Sequence, residues 1–509
     1  MITDTPSRPV QAESPAATNG HVTHTAPSTR EVHKPHASPA STPTPISSRK
    51  WLLAIICAYV ALCTLYNLLT PIGEGPDEPD HIRYVEYLVR FGDFPPIAGT
   101  NSSHPYTIEA KQPPVYYLLG ASLMLALGRE GKMIIPELGE NPAFSRQDAN
   151  YPKFLHPPIP ADLIPWTYIL RFLGALMGAG TILLTYATVR QVFPHERETS
   201  LAIGAAGIVA LLPQFTFLSS VVNNDHFATL VGAAISYCMV RILALGANWR
   251  RAMALGALLG LALLSKNNNL VYIPVGLLVL ALPGLPLFHG RFAFRSPLRA
   301  WTAFLRARLP LLALTLLTCI AVGGWWMLRN LLVYGDLLAR NAVNQMAAQA
   351  IPEQAVTANM SDPATLMNQF VGIMITHFAA FGWVVITPPM LWSMLYATLM
   401  LLATIGIIYD LLRGNLTGTQ KACLVLGMLV FELFYTGLIY QVVWQGRLLF
   451  PALALTSLLL IRGTYSWLTL LMRGRPSYTL AAALWLIFLG AANVYSLLYV
   501  LVPAFYGKS

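Results

Sequence analysis

Charge is scarce in this chain. Only 11% of its 509 residues are Asp, Glu, Lys or Arg, where a soluble globular protein carries about 25%. Cysteine is scarce too. Cys57, Cys63, Cys238, Cys319 and Cys423 all lie in or beside apolar stretches, and none forms a C-x-x-C, which excludes a disulfide framework and a thiolate metal site. There is no G-x-x-x-x-G-K-[ST] and no H-E-x-x-H, so neither a nucleotide-driven pump nor a zincin is indicated. No repeat of 20–50 residues is visible, and zinc-finger spacing is missing. The net charge of +10 therefore does not indicate nucleic acid.

What is abundant is apolar. Hydrophobic residues make up 55% of the chain and mean hydropathy is +0.54, the composition of an all-α polytopic membrane protein. Residues 1–48 are rich in Pro, Ser, Thr, Ala and His and should form a disordered tail. Arg49-Lys50 then precede the apolar run Trp51–Thr70, which reads as an uncleaved signal anchor holding the tail in the cytoplasm. Walking on by the positive-inside rule gives further spans near 163–187, 199–218, 226–245, a pair around Ser265-Lys266-Asn267, 309–328, 389–409, 422–441, 449–470 and 478–500. Arg241, Arg250, Arg251, the run Arg291, Arg295, Arg299, Arg306 and Arg308, then Arg413, Lys421, Arg473 and Arg475 fall on the inside. Loops 71–162 and 329–388 are then external. The apolar segments 113–127 and 367–387 break this parity and are expected to be re-entrant or interfacial.

The most informative stretch is Gly75-Pro76-Asp77-Glu78-Pro79-Asp80-His81, directly behind the first span. Carboxylates near lipid are costly unless water, a partner or a task keeps them there. Asp77 fits a helix N-cap, with Pro79 and Asp80 in the first turn. The same residues fit a general base, or an acid pair for a metal, at the external face. Asn223-Asn224-Asp225-His226 is the polar tetrad in an otherwise apolar stretch, 201–246. It reads as a solvated hairpin turn or as a second acid on the face of Asp77.

Three cations share that face: Lys111 before Tyr116-Tyr117, Arg329-Asn330 behind Trp325-Trp326, and Arg447 behind Trp444. Each fits an interfacial anchor or a clamp on a lipid phosphate. Lys266 is either a fourth cation or an anchor. His104, His156, His226 and His377 lack metal-ligand spacing.

In order, Pro76–His81, Lys111–Tyr117, Asn224-Asp225, Ser265-Lys266, Arg329–Gly335 and Gln445–Ala452 resemble the GT-C class of membrane glycosyltransferases. The likeness is closest to a bacterial group of such membrane proteins, and more distant to aminoarabinose and protein O-mannosyl transferases. It implies a GT-C-like bundle of about 11–13 transmembrane helices with external juxtamembrane helices, spanning 49–509, in the plasma (inner) membrane. It also implies inverting transfer of a sugar from a polyprenyl-phosphate donor to a glycan, lipid or protein acceptor at the external face. Carried over, Asp77 is the base and Asp225 the second acid. Lys111, Arg329 and Arg447 bind phosphate, and Glu78, His81, Tyr116, Lys266 and Asn330 complete the substrate site. Some members of the class use a divalent metal with their acid pair. A transporter or flippase for a lipid-linked or small polar substrate is the competing expectation.

Overall fold

The computed structural model describes residues 48–97, 106–144, 152–156, 160–281, 298–350, 362–413, 416–441, 443–473 and 476–507. The expected disordered tail, His104, Arg291, Arg295 and Arg475 lie outside these residues. The described regular structure is helical, apart from two isolated antiparallel bridges, Glu140 with Phe154 and Phe381 with Ile386.

Among the described residues eight helices are long and apolar enough to cross a bilayer: Arg49–Leu69, Ile164–Val192, Asp225–Leu245, Arg306–Tyr334, Met390–Arg413, Gly418–Tyr440, Gly446–Leu471 and Tyr478–Tyr506. The other three expected spans fall on shorter helices. The span near 199–218 is interrupted at Pro213, whose ring and missing N–H end one helix and begin another, giving Thr199–Leu211 and Pro213–Leu218. The Ser265-Lys266 turn leaves Trp249–Leu263 on one side, and a 3-10 turn leading into Tyr272–Ala281 on the other. Val115–Ala126 and Pro363–Phe378 have 12 and 16 residues. At about 1.5 Å per residue neither alone covers the roughly 30 Å hydrocarbon core.

We label the helices that position the site. α1 is Ser48–Leu69, α2 is Glu78–Phe91, α3 is Val115–Ala126, α4 is Ile164–Val192 and α5 is Asp225–Leu245. α6 is Pro363–Phe378, α7 is Met390–Arg413 and α8 is Leu453–Leu471, the last preceded by a 3-10 turn, Gly446–Ala452. Close backbone approach, which small residues permit in membrane bundles, sets the geometry. A Cβ on Gly232 of α5 would meet the backbone of Pro451, and one on Gly446 would meet the Ile373 carbonyl of α6. Tyr272 Oη donates to Pro451 O at 2.7 Å and Asn268 Nδ2 to Leu448 O at 3.0 Å. The turn carrying Arg447 is thereby pinned against the helix that begins with Asp225.

Three buried glutamates staple the first long loop. Glu74 accepts from Lys153 N, Phe154 N and His156 Nε2 at 2.9–3.1 Å. Glu86 accepts from Ile134 N at 2.8 Å and Tyr106 Oη at 2.5 Å. Glu78 accepts from Gly73 N at 3.0 Å and Val222 N at 2.9 Å. Each takes backbone donors that a loop near the membrane could not otherwise satisfy.

Candidate active site

Asp77 occupies the N-cap position of α2 at φ 58, the left-handed region, and its side chain makes no capping bond. Pro79 and Asp80 stand in the first turn as the sequence suggests, but the carboxylate of Asp77 turns away from the helix. Asp is among the residues that tolerate this conformation, and holding it still costs about 1–3 kcal/mol. The restraint comes from the next residue. Glu78 is buried, and both its oxygens receive Arg171 of α4, at 2.7 Å each. Arg171 also donates to the carbonyls of Asn67, Thr70 and Pro71, so it ties the end of α1 to the start of α2. Both oxygens of Glu78 are thus occupied, so it is not free to join Asp77 as an acid pair for a metal.

Two aspartates far apart in sequence meet one guanidinium. Arg447 Nη2 lies 3.1 Å from Asp77 Oδ2, and Nη1 lies 3.4 Å from Asp225 Oδ2. Arg447 Nε donates to Gln445 Oε1 at 2.9 Å. On the far side, Lys266 Nζ reaches Asp225 Oδ1 at 2.5 Å and Asn224 Oδ1 at 3.2 Å. The tetrad at 223–226 is buried throughout, not a solvated turn. Asn223 shapes it, donating to Leu218 O and accepting from Asp225 N. Asp225 Oδ2 makes no directed hydrogen bond despite its ion pair, leaving a buried acceptor in search of a donor.

The Asp77 side chain is 30% exposed and that of Asp225 only 5%. Asp77 and Arg447 face a cleft of about 240 Å³ walled by Pro76, Trp383, Val384, Val385, Trp444 and Gln445. Trp383 is fixed by donating to Gly73 O at 3.2 Å, and Lys153 Nζ sits 3.4 Å from its ring centroid. An amphipathic cleft with a few converging polar groups is what a small-molecule site requires.

The remaining candidates divide. Lys111 pairs with Glu109 at 3.3 Å and is close enough to act electrostatically on Asp77. His81 is buried, with Nδ1 2.8 Å from Tyr117 Oη. Burial lowers its pKa, with nearby carboxylates opposing, so it stays neutral at pH 7. Tyr116 is 1% exposed and packs edge-on against His226, as core. Arg329 lies over the rings of Phe94, Trp326 and Tyr334 and contacts Asn330 Oδ1 at 3.4 Å, while Asn330 donates to Leu337 O. Lys266, not Arg329, therefore stands with Arg447 at the acids.

Sequence reasoning missed Arg171 and Glu109. Arg171 had a signal, as a lone arginine inside an apolar run demands a buried partner. Among the described residues no three His, Cys, Asp or Glu side chains cluster as a metal site. Asp77 and Asp225 offer oxygens already facing Arg447 and Lys266. A divalent ion held there would have to compete with those two cations for the carboxylates and would take its remaining oxygens from water or a phosphate.

Burial pushes the Asp77 pKa up, but the surrounding positive charge, led by the Arg447 guanidinium, outweighs it and holds the carboxyl below its ordinary 3.8. A depressed folded pKa stabilises the fold above the unfolded value, and that stability is lost as pH falls through the folded pKa. Arg447→Gln removes the largest opposing charge, so the Asp77 pKa is expected to rise. An NMR titration of labelled Asp77 checks this; an unchanged midpoint would show that Arg447 does not set it.

Residues 167–326 match the family model for dolichyl-phosphate-mannose-protein mannosyltransferase. No curated protein matches the chain. Among solved structures, the apo oligosaccharyltransferase of Archaeoglobus fulgidus is 13% identical with a TM-score of 0.48, over 87% of this chain and 56% of that one. AglB from the same organism, in complex with an inhibitory peptide and a dolichol-phosphate, is 14% identical with a TM-score of 0.44, over 88% and 55%. ArnT from Cupriavidus metallidurans, bound to undecaprenyl phosphate, is 15% identical with a TM-score of 0.35, over 82% and 78%. The chain spans little more than half the length of the oligosaccharyltransferase chains it matches. The segment that carries Arg171, Asp225 and Lys266 is thus similar in sequence to the protein mannosyltransferases, one of the groups that the ordered motifs resemble.

Proposed function

We propose that the chain is an inverting glycosyltransferase of the GT-C type that draws its sugar from a polyprenyl-phosphate donor. The observation that carries this reading is Arg447 held between Asp77 and Asp225, with Lys266 behind. A guanidinium fork and an ammonium at a membrane-edge cleft suit a lipid phosphate. The match of residues 167–326 to dolichyl-phosphate-mannose-protein mannosyltransferases supports the donor class. The external face is supported by Arg197, Arg413 and Arg473, which stand at the other end of the helices.

In this mechanism Arg447 and Lys266 bind the donor phosphate, with Lys111 adding positive potential. The sugar lies in the cleft against Trp383 and Trp444. Asp77, the more exposed aspartate and ionised at neutral pH, accepts the proton of the acceptor hydroxyl. That oxygen attacks the anomeric carbon opposite the phosphate. The carbon–oxygen bond to phosphate breaks, and polyprenyl phosphate leaves with the electron pair, stabilised by the two cations. As the phosphate draws Arg447 away from Asp77, the carboxylate becomes a stronger base.

The experiment is turnover by the purified protein in liposomes, given polyprenyl-phosphate sugars and an envelope extract as acceptor. Release of polyprenyl phosphate that depends on both protein and acceptor is expected. Movement of intact donor across the bilayer without its cleavage would replace this reading with that of a flippase.

A further inference from the structure

The opposite end of the bundle holds a second built cavity. Arg447 and Ser466 lie on the same span, 19 residues apart, so at about 1.5 Å per residue they stand roughly 28 Å apart, close to one hydrocarbon thickness. Around Ser466 is a cavity of about 450 Å³, lined among others by Arg197, Glu198, Asp410, Arg413, Arg462 and Tyr478.

Its floor is a buried charged network. Arg462 of α8 donates from Nε to Asp410 Oδ2 of α7 at 2.6 Å and from Nη2 to Oδ1 at 3.3 Å, and Ser466 Oγ donates to Oδ2 at 2.6 Å. The guanidinium lies over Phe193 and Tyr465, 5.3 and 5.0 Å from the ring centroids. The helices meet here with no room to spare: a Cβ on Gly406 or Gly463 would strike the facing backbone, so the floor is rigid. An ion pair buried between two membrane-spanning helices is expensive to desolvate and is by itself weak evidence for stability.

The rim is unlike the floor. Arg197 and Arg413 are exposed, and neither takes part in a hydrogen bond or ion pair among the described residues. Glu198 Oε2 is buried without any hydrogen-bond partner, an arrangement that is costly unless a donor arrives. Three arginines against two carboxylates leave the cavity at +1. The unmet demand is thus for one negative charge between two arginines and one hydroxyl donor at Glu198.

We propose that this cavity holds a hydroxylated phosphodiester headgroup, with Arg197 and Arg413 on the phosphate and Glu198 accepting from a hydroxyl. A phosphodiester carries a single negative charge, and bidentate arginine–phosphate contacts supply its recognition. The site is separate from the Asp77 cleft and does not rest on the proposed transferase activity.

The test is native mass spectrometry of the full chain in nanodiscs of mixed phosphatidylglycerol and phosphatidylcholine, with soluble glycerophosphoglycerol as competitor. Wild-type protein is expected to retain phosphatidylglycerol at least about 10-fold over phosphatidylcholine. The Arg197→Gln/Arg413→Gln variant, whose side chains hold nothing else together, should lose that preference while its melting midpoint stays unchanged. Displacement by glycerophosphoglycerol at equal concentration would assign the site to a soluble phosphodiester. Resistance to it would assign the site to the lipid. Equal retention of the two lipids by wild type, or an undiminished preference in the double variant, overturns the proposal. A midpoint that falls in that variant is met by Arg413→Gln alone, which should weaken phosphatidylglycerol retention by itself; no weakening also overturns it.

Discussion

Asp77→Asn is expected to lower kcat for donor-dependent transfer by about 10²–10⁴-fold, with little change in KM for the donor. Asn keeps an oxygen for Arg447 Nη2, now 3.1 Å away, and keeps the size and conformational tolerance that φ 58 demands. The loss therefore isolates proton acceptance from architecture. Asp225→Asn should behave differently. Its oxygens are divided between Lys266 and Arg447, so neutralising it frees two cations and should raise donor KM as well. Single-turnover assays with saturating donor separate the two effects. Full activity of Asp77→Asn would move the base elsewhere, with Asp225 and Glu109 the next carboxylates.

Arg171→Met is expected to destabilise the fold by about 3–5 kcal/mol, the effect of stranding a buried charge. The Arg171 and Glu78 side chains are both fully buried. Removing the guanidinium leaves Glu78 with two backbone donors and releases three carbonyls at the end of α1. Thermal inactivation in detergent, followed by the half-life of folded protein, measures the change. Adding Glu78→Gln should recover part of the loss. It cannot recover all, because the glutamine amide would point a donor at either Gly73 N or Val222 N. If the single variant is as stable as wild type, the Glu78–Arg171 pair does not hold the turn that presents Asp77.

Much of the site is legible in the sequence because membrane proteins make charge conspicuous. Asp77, Asp225 and Arg447 stand out from apolar runs, and counting spans puts them on one face. Which cation meets which acid is not legible. Lys266 and Arg329 are equivalent by position at helix ends, and tertiary packing, including Gly232 and Tyr272 against Pro451, decides that the 446–452 turn closes on Asp225. The aromatic basket that holds Arg329 is assembled from Phe94, Trp326 and Tyr334, two of them remote from each other in the chain.

Glu78 was ambiguous for the same reason: its partner lies 93 residues away. The fold itself follows hydrophobic run length closely. The departures occur where a single residue interrupts the helical ladder, as at Pro213, or where a polar turn shortens it, as at Ser265-Lys266. The Asp410–Arg462 pair could have been suspected, since both charges sit within long apolar segments.

Equilibrium binding of a polyprenyl phosphate tests the central claim most directly, since it asks whether the charges at Asp77 form a lipid-phosphate site. Wild-type protein should bind it saturably. Arg447→Gln should bind it at least about 10-fold more weakly, because a fork that makes two charge-assisted bonds is lost. Arg329→Gln, in its aromatic basket, should bind like wild type. Equal affinity of wild type and Arg447→Gln would contradict the account, and a loss confined to Arg329→Gln would move the phosphate to the other cation.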